Sequence, residues 1–322
     1  SIPYVTSYYK KSWGFCMSEK QKNKLPNGEY RAFIDSDLKN GSMEIMHANL
    51  KGKNKNEIFF SSYVCHPSMA NNELSGPVLL NALIKYIEEF YPKPNYTYRF
   101  VLSPETIGSI AYLSKFKETM KKNIICGFNL SCVGDNRAYS LIHSPSEITL
   151  ADQALKSALI GKKNIKYYSF LERGSDERQY CSSECNLPVG QLARTVYGNN
   201  KEYHTSADNK KFVRLKKFKK TANEILNYIQ DNEKQIFLRR RQPYCEIQLG
   251  KRGLYPNTNS PNTWKDSSDN ILNSRDQLNI TTTILSAADG LTTLSNVNFD
   301  KKYAYKDIKR VYAKLRKKGL LY

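Results

Sequence analysis

The 322-residue sequence lacks the features that mark membrane-spanning, secreted or fibrous proteins. No run approaches the roughly 18 apolar residues that a membrane-spanning helix needs, and the first residues carry no signal-peptide pattern. The 12 prolines and 16 glycines are too few for a long disordered or fibrous region. The remaining class is a folded protein, and the length suits one large domain followed by a smaller one.

Cysteine is scarce and scattered: there are seven, and none forms a CxxC pair. Such spacing excludes a zinc ribbon, and a disulfide framework is not expected in a chain of this length. We therefore predict reduced thiols in a cytoplasmic protein. The cysteines are Cys16, Cys65, Cys126, Cys132, Cys181, Cys185 and Cys245.

Acidic residues are also few, since 30 Asp and Glu face 50 Lys and Arg, which gives a formal net charge of +20. This balance favours contact with phosphate, anionic sugars or a membrane surface. The alternative, which we favour, is that the lysines are spread over solvated faces and serve no specific partner.

Apolar runs and helical periodicities alternate along the chain from residue 57 onward. This pattern predicts an α/β domain with a mostly parallel sheet flanked by helices, with its chemistry in the loops at the carboxyl ends of the strands. Residues 1–55 read as short polar strands and turns, a small β-rich N-terminal portion in which residues 30–34 alternate. The predicted strands are 58–64, 98–102, 124–130 and 187–192, and the predicted helices are 77–90, 109–121, 147–160 and 211–231.

The character of the sequence changes after the arginines at 239–241. Residues 242–272 are rich in Pro, Asn, Gly and Ser and indicate a linker or a long ordered loop. Residues 277–322 indicate a small helical unit with a β-wing, and nine Lys or Arg fall within 301–322. We therefore expect an α/β domain over 1–240, then a linker and a small domain over 241–322. The helical stripe of the small domain consists of Ile308, Val311, Tyr312 and Leu315.

Three polar side chains follow predicted strands or precede the last long helix of the large domain: His66, Glu105 and His204. Imidazole and carboxylate are ligands that zinc takes in catalytic sites, which keep a further position open for water. The alternative is that both histidines are hydrogen-bonding loop residues. Cys65 precedes His66, but adjacent residues on an extended strand point to opposite faces, so we do not expect a Cys–His nucleophile.

Five segments together resemble the aminopeptidase-like proteins of polysaccharide gene clusters (the DUF4910/DUF2172 type), which are relatives of the M28 zinc aminopeptidases and the glutaminyl cyclases. The resemblance covers about residues 1–235, and the segment after 242 resembles the C-terminal winged-helix domain of the same group. The group's opening segment is not found before Ser1, so we expect the chain to be part of a longer protein. The five segments are CHPSMANNELSGP, SPETIGS, GFNLSCVGD, GSDERQY and EYHTSADN.

The resemblance implies roles for single residues. His66, Glu105 and His204 match metal ligands, and Asp176 matches a carboxylate that moves protons near the metal. Asn72 stands where the M28 enzymes have a bridging aspartate.

Two further positions depart from the M28 pattern: Ser131 replaces another aspartate, and Pro104 replaces the glutamate that acts as general base. Because two adjacent divalent ions need several anionic oxygens, we predict one zinc ion at most. Asn72 offers it a carbonyl oxygen, or Glu73 substitutes if the loop shifts. Asp176 and Glu177 are the remaining candidates for proton transfer.

The resemblance implies a metal-dependent aminopeptidase-like or amide hydrolase that could act in surface polysaccharide biosynthesis. Its substrate would be a peptide, an aminoacyl group or an amide-bearing sugar. A first alternative is a binding module that keeps the pocket without the chemistry. A second, less favoured alternative is a nucleic-acid-binding protein acting through the winged-helix domain. Oligomer formation is left open.

Overall fold

The computed structural model describes residues 1–6, 10–159, 162–214, 236–255, 272–294 and 303–322, together with 221–223, 225, 229, 233 and 297. The chain divides into two compact units, Ser1–Ile229 and Gln230–Tyr322. Each unit has buried apolar residues of its own. Within the described residues, no helix has the length and apolar character needed to cross a membrane.

The first unit is built on a seven-stranded sheet in the order β1-β3-β2-β4-β7-β5-β6. The neighbours β3, β2, β4 and β7 run parallel, as do β5 and β6. β1 is antiparallel to β3, and β5 is antiparallel to β7. The prediction of a mostly parallel sheet is therefore confirmed. The strands are β1 (Met46–Leu50), β2 (Glu57–Tyr63), β3 (Thr97–Ser103), β4 (Ile124–Leu130), β5 (Tyr139–Ile142), β6 (Ile165–Tyr168) and β7 (Val189–Ala193).

Helices flank this sheet, and those predicted at 77–90, 109–121 and 147–160 are confirmed with shifts of a few residues at their ends. The helix predicted over 211–231 begins later, because residues 211–213 form a turn. Residues 215–220 lie outside the described part, and the described residues between 221 and 233 are helical. The elements are α1 (Glu19–Lys22), a π-helix (Ala70–Leu74), α2 (Ser75–Phe90), α3 (Ile107–Asn123), α4 (Leu150–Ala158), α5 (Glu177–Tyr180), and 3-10 turns at Phe170–Glu172 and Tyr197–Asn199.

The prediction of a strand at residues 30–34 is wrong. Tyr30, Phe33 and Ile34 have no regular secondary structure and are 59%, 77% and 42% exposed. Alternation predicts a strand only where one face can be buried against a neighbour, and these side chains bury neither face. Among the described residues of 1–55, β1 is the strand that joins the sheet.

Strand β2, in the interior of the sheet, is buried along its whole length, which explains its continuous apolar sequence. It also carries a buried ion pair with β3. Arg99 donates to both carboxylate oxygens of Glu57, Nε to Oε2 at 2.6 Å and Nη2 to Oε1 at 3.0 Å. Arg99 also donates to the hydroxyl of Tyr112 at 2.7 Å. This bidentate geometry links the amino-terminal halves of the parallel neighbours β2 and β3.

The second unit, Gln230–Tyr322, contains a two-stranded sheet and two helices. Its strand β8 (Phe237–Arg239) pairs antiparallel with β9 (Asp289–Thr293), beside the helices α6 (Ser274–Ser286) and α7 (Tyr305–Lys317). The predicted helical stripe of α7 is confirmed as buried. The described part of the predicted linker is an ordered loop, since Ile247, Leu249 and Leu254 enter the core of this unit. Residues 256–271 lie outside the described part.

Candidate functional site

The sheet brings the predicted ligand residues to one edge. β2 and β3 are parallel neighbours, so His66 and Glu105, which follow them, lie side by side, with His66 Nε2 3.7 Å from Glu105 Oε2. His204 completes the group, with its ring centroid 5.1 Å from that of His66. Tyr203 stacks on His204 at 3.9 Å between ring centroids. His66 therefore lies close to both Glu105 and His204, but these three described residues do not have all their ligand atoms within 4.8 Å of one another.

Asn72 lies in the π-helix that follows His66, and the carboxylate of Asp208 holds this helix in place. The backbone N–H groups of Asn71 and Asn72 donate to Asp208 Oδ1 and Oδ2 at 2.6 and 2.8 Å. The side-chain amide of Asn72 donates to the hydroxyl of Tyr63 at 3.2 Å, whereas its carbonyl oxygen is buried and has no protein partner. The amide is thus oriented with its acceptor free.

Glu73 holds the loop that carries His66. Its two carboxylate oxygens accept the backbone N–H groups of Cys65 and His66, each at 2.7 Å. Glu73 Oε2 also lies 3.3 Å from Nδ1 of the His66 ring. A carboxylate at Nδ1 orients a metal-binding histidine and favours the tautomer with a free Nε2. Glu73 was predicted only as a substitute ligand. In this structure it contacts the Nδ1 side of the His66 ring and the backbone N–H of His66.

The expectation that Cys65 and His66 point to opposite faces is wrong. The Sγ atom of Cys65 lies 3.2 Å from His66 Nδ1, and it accepts the backbone N–H of Glu105 at 3.3 Å. The expectation fails because β2 ends at Tyr63, so the alternation of an extended strand does not apply to residues 65 and 66. Within the described residues, one trio of ligand-type side chains has its ligand atoms all within 4.8 Å of one another: Cys65, His66 and Glu73.

The two carboxylates predicted for proton transfer have different surroundings. Asp176 Oδ1 accepts the backbone N–H of Thr106 at 2.7 Å and the hydroxyl of Ser109 at 2.8 Å, while its Oδ2 is buried without a partner. Glu177 accepts the backbone N–H groups of Gly174 and Ser175, at 2.8 and 3.1 Å. Asp176 therefore keeps one carboxylate oxygen without a partner, whereas the carboxylate of Glu177 bonds to the backbone of the two residues before Asp176.

The substituted position Ser131 belongs to a buried polar network rather than to an anionic cluster. Its hydroxyl is 2.7 Å from the side-chain amide of Gln191. With the amide of Gln191 turned over, its nitrogen donates to Glu177 Oε2 at 2.8 Å and its oxygen accepts the hydroxyl of Ser131 at 2.7 Å. Asn129 donates to Glu177 Oε2 at 3.0 Å. Neutral side chains thus surround Glu177 on the side of β4 and β7.

Burial sets the charges of the site. It lowers the pKa of His204, and the neighbouring His66 lowers it further. For His66 burial also opposes the proton, but the hydrogen bonds to Cys65 and Glu73 outweigh it and raise the pKa to about 10. Burial raises the pKa of Glu105 above its ordinary value and that of Asp176 to about 7.

Three residues near the site were not assigned roles from the sequence: Ser175 and Asp208, which lie within the five segments, and Tyr63, which ends β2 before the first of them. Ser175 donates its hydroxyl to Glu105 Oε1 at 2.8 Å and so orients that carboxylate. Tyr63 and Asp208 position Asn72, as described above. The spacing of the sequence did not indicate a role for Ser175 or Tyr63. The carboxylate of Asp208 could have been noticed, because it lies four residues after His204 in the same segment.

Comparisons with known proteins agree with this architecture. A family profile described as a domain of unknown function (DUF4910) matches residues 11–235, and a winged helix-turn-helix profile matches residues 236–322. A Clostridium acetobutylicum protein, provisionally named for polysaccharide biosynthesis and an aminopeptidase-like domain, is 39% identical over 258 residues. The match covers 79% of this chain and 58% of that protein, so the chain spans little more than half of its relative.

Two solved structures are similar in fold. One, from Clostridium acetobutylicum and provisionally named a peptidase, superposes with a TM-score of 0.72 at 32% identity over 100% of this chain and 70% of that one. The other is BSAP, a zinc aminopeptidase from Bacillus subtilis, with a TM-score of 0.51 at 14% identity over 58% of this chain and 49% of that one. At that identity, the likeness to BSAP concerns the fold alone.

Proposed function

Because this chain belongs to the DUF4910 family, with a winged-helix domain at its carboxyl end, we propose that it is a metal-dependent amide hydrolase of the aminopeptidase-like type. The ion is zinc, and His66, Glu105 and His204 hold it. The observation that carries the proposal is that three polar atoms of predicted site residues are buried without protein partners: Nε2 of His204, Oδ1 of Asn72 and Oδ2 of Asp176.

The types of donor that these residues offer support one divalent ion. An unsatisfied buried polar atom costs about 1–3 kcal/mol, and a cation beside His204 Nε2 and Asn72 Oδ1 would satisfy two such atoms. Imidazole nitrogen and carboxylate oxygen are the ligand types that zinc takes. Glu105 supplies a single negative charge, which supports one ion rather than two because Asn72 and Ser131 are neutral.

Bound zinc would polarise a carbonyl group and make a water molecule more acidic. The side chains around it have separate tasks in this proposal. Ser175 orients Glu105, and Glu73 holds the imidazole of His66 so that Nε2 faces Glu105. Both contacts fix the ligands before substrate arrives, which is how supporting residues preserve a site's geometry.

Asp176 is the group that moves a proton in this proposal. Its pKa of about 7 lets it accept and release a proton near neutral pH, as a general base or acid requires. Thr106 and Ser109 fix one oxygen, so the free Oδ2 is the atom that takes the proton. Glu177, whose oxygens already accept several donors, keeps the preceding turn in place and so positions its neighbour Asp176.

The substrate is an amide or aminoacyl group, carried by a peptide or by a sugar of a surface polysaccharide. The sugar is suggested by the name of the Clostridium acetobutylicum relative, which links an aminopeptidase-like domain to polysaccharide biosynthesis. The exposed lysines and arginines would help to attract an anionic polymer of that kind. The cytoplasmic location that the cysteines indicate stays part of this proposal.

Metal stoichiometry and hydrolysis test the proposal together. The full chain is stripped with chelator, reloaded with zinc, desalted and measured by elemental analysis, and aminoacyl-nitroanilide hydrolysis is followed in parallel. His204→Ala is expected to lose the zinc and the activity. His47→Ala removes an exposed histidine of β1 and is the matched control. Full zinc content in His204→Ala would contradict the ligand assignment.

A binding module without catalysis is the second candidate, and Asn72, Ser131 and Pro104 favour it because each replaces a group that the chemistry uses in the M28 enzymes. It predicts zinc binding without hydrolysis of any amide. Hydrolysis that chelator abolishes and zinc restores would remove this candidate. Nucleic-acid binding by the winged-helix domain stays a third, less favoured hypothesis, which requires an affinity for DNA that falls steeply with salt.

A further inference from the structure

The ring of His66 has two edges, and the proposed zinc position uses only one of them. Nε2 faces Glu105, whereas Nδ1 faces the thiol of Cys65 at 3.2 Å and the carboxylate of Glu73 at 3.3 Å. The ligand atoms of Cys65, His66 and Glu73 all lie within 4.8 Å of one another. The Nδ1 edge is therefore the more compact of the two groups.

The spacing of these atoms matches tetrahedral zinc. With zinc–sulfur and zinc–nitrogen bonds of about 2.3 and 2.0 Å at a tetrahedral angle, the two ligand atoms lie about 3.5 Å apart, and a nitrogen and an oxygen lie about 3.3 Å apart. The corresponding distances from His66 Nδ1 are 3.2 Å to Cys65 Sγ and 3.3 Å to Glu73 Oε2. A cation could enter with small side-chain movements.

We propose that Cys65 Sγ, His66 Nδ1 and Glu73 Oε2 form a second, thiolate-containing site for a zinc-like divalent cation. Thiolate and carboxylate together neutralise the two charges of the ion, which the Nε2 edge with its single carboxylate does not. The backbone N–H of Glu105 donates to Sγ at 3.3 Å and so fixes the position of the sulfur. The backbone donors on Glu73 hold the carboxylate in place.

The two positions compete because a neutral imidazole has one lone pair to give. If an ion binds Nδ1, the proton of the neutral imidazole lies on Nε2. That nitrogen then cannot coordinate an ion near Glu105 and His204. Sulfur also changes the preference of the site, since thiolate selects zinc and cobalt over magnesium and manganese. Cys65 is exposed, so a fourth position at this ion is open to solvent or to an added ligand.

Cobalt(II) reports on the proposal directly, because sulfur-to-cobalt charge transfer absorbs in the near ultraviolet and nitrogen and oxygen ligands do not give that band. The metal-free full chain is titrated with Co²⁺, and bound cobalt is counted after desalting. We expect a saturable charge-transfer band that Cys65→Ser abolishes. The band should persist in Cys16→Ser, which removes another exposed free thiol, and in His204→Ala, which alters only the Nε2 edge.

The outcomes separate this site from the proposed hydrolase site. Bound cobalt without a charge-transfer band overturns the thiolate site and leaves the Nε2 position as the holder of the ion. A band that survives Cys65→Ser also overturns it. A band together with unchanged cobalt content in His204→Ala supports the thiolate site and counts against the ligand set of the proposed function. No bound cobalt overturns both.

Discussion

Replacing Asp176 by asparagine tests the buried carboxyl group on which the proposed proton transfer depends. The side chain is 0% exposed, and burial raises its pKa from 3.8 to about 7. The N–H of Thr106 and the hydroxyl of Ser109 oppose this rise, and the charge of Glu105 adds to it. Asparagine resembles the protonated acid, because its amide nitrogen replaces Oδ2, the atom without a partner.

The sign of the effect follows from the raised pKa. The folded protein binds this proton more tightly than the unfolded chain, so the contribution to stability is complete below about pH 4 and is lost as the pH rises through 7. Moving a pKa from 3.8 to about 7 corresponds to about 4 kcal/mol. Asp176→Asn avoids this loss, so its advantage over the natural protein should be about 1–2 kcal/mol at pH 5 and about 4 kcal/mol above pH 8.

The measurement is urea unfolding of the chelator-treated full chain between pH 5 and 8.5, followed by the circular dichroism transition of the first unit. Asp37→Asn, at an exposed carboxylate, is the control and should parallel the natural protein. The same Asp176→Asn variant should lose amide hydrolysis, so that it gains stability while it loses activity. A stability difference that does not change with pH would refute the reasoning about this carboxyl group.

Two further predictions concern the scaffold. Arg99→Met leaves the buried carboxylate of Glu57 without its ion-pair partner and should lower the free energy of unfolding by about 3–5 kcal/mol. Lys39→Met removes an exposed ion pair and should change the free energy of unfolding by less than about 1 kcal/mol. Thermal unfolding measures both effects. Leu315→Ala removes a fully buried side chain of the winged-helix unit and should cost that unit about 2–5 kcal/mol, and Leu171→Ala, at a side chain that is 85% exposed, is its control. Equal effects at the buried and exposed positions of either pair would contradict the burial argument.

The sequence predicted the central strands because burial on both faces leaves a clear pattern. β2, β3 and β4 are apolar along most of their length, and His66 and Glu105 follow two of them, so the edge where these side chains meet was predictable. β5 and β6 were not predicted. Each has four residues, too few to show a period, and β6 is half-buried at most.

The details of the site depend on contacts between distant segments, which spacing does not encode. Glu73 reaches back to the backbone of residues 65 and 66, and Asp208 reaches the π-helix from more than a hundred residues away. The proximity of Cys65 to His66 Nδ1 depends on where β2 ends, and strand ends are less certain in sequence than strand centres. Periodicity predicts the elements, and the loops between them decide which edge of His66 faces which ligand.

Asn72→Asp restores a carboxylate at the position where charge was lost, and it tests whether the low charge of the site limits metal binding. The hydroxyl of Tyr63 and the backbone bonds to Asp208 hold residue 72 in place, so the new oxygen should occupy the position of the free amide oxygen. Two opposite charges about 4 Å apart attract by about 4 kcal/mol at an effective dielectric constant near 20. Since desolvation opposes part of this, zinc should bind at least about tenfold more tightly, which is about 1.4 kcal/mol.

Isothermal titration with zinc measures that affinity, and elemental analysis shows whether a second ion enters. Asn49→Asp adds the same charge on exposed β1 and should leave the affinity unchanged. Without zinc, the new buried carboxylate lies near Glu73 and Asp208 and should lower the thermal stability, which zinc then restores. If Asn72→Asp bound zinc no better than Asn49→Asp, the free oxygen of Asn72 would not face the ion, and the cation would have to lie on the opposite edge of His66.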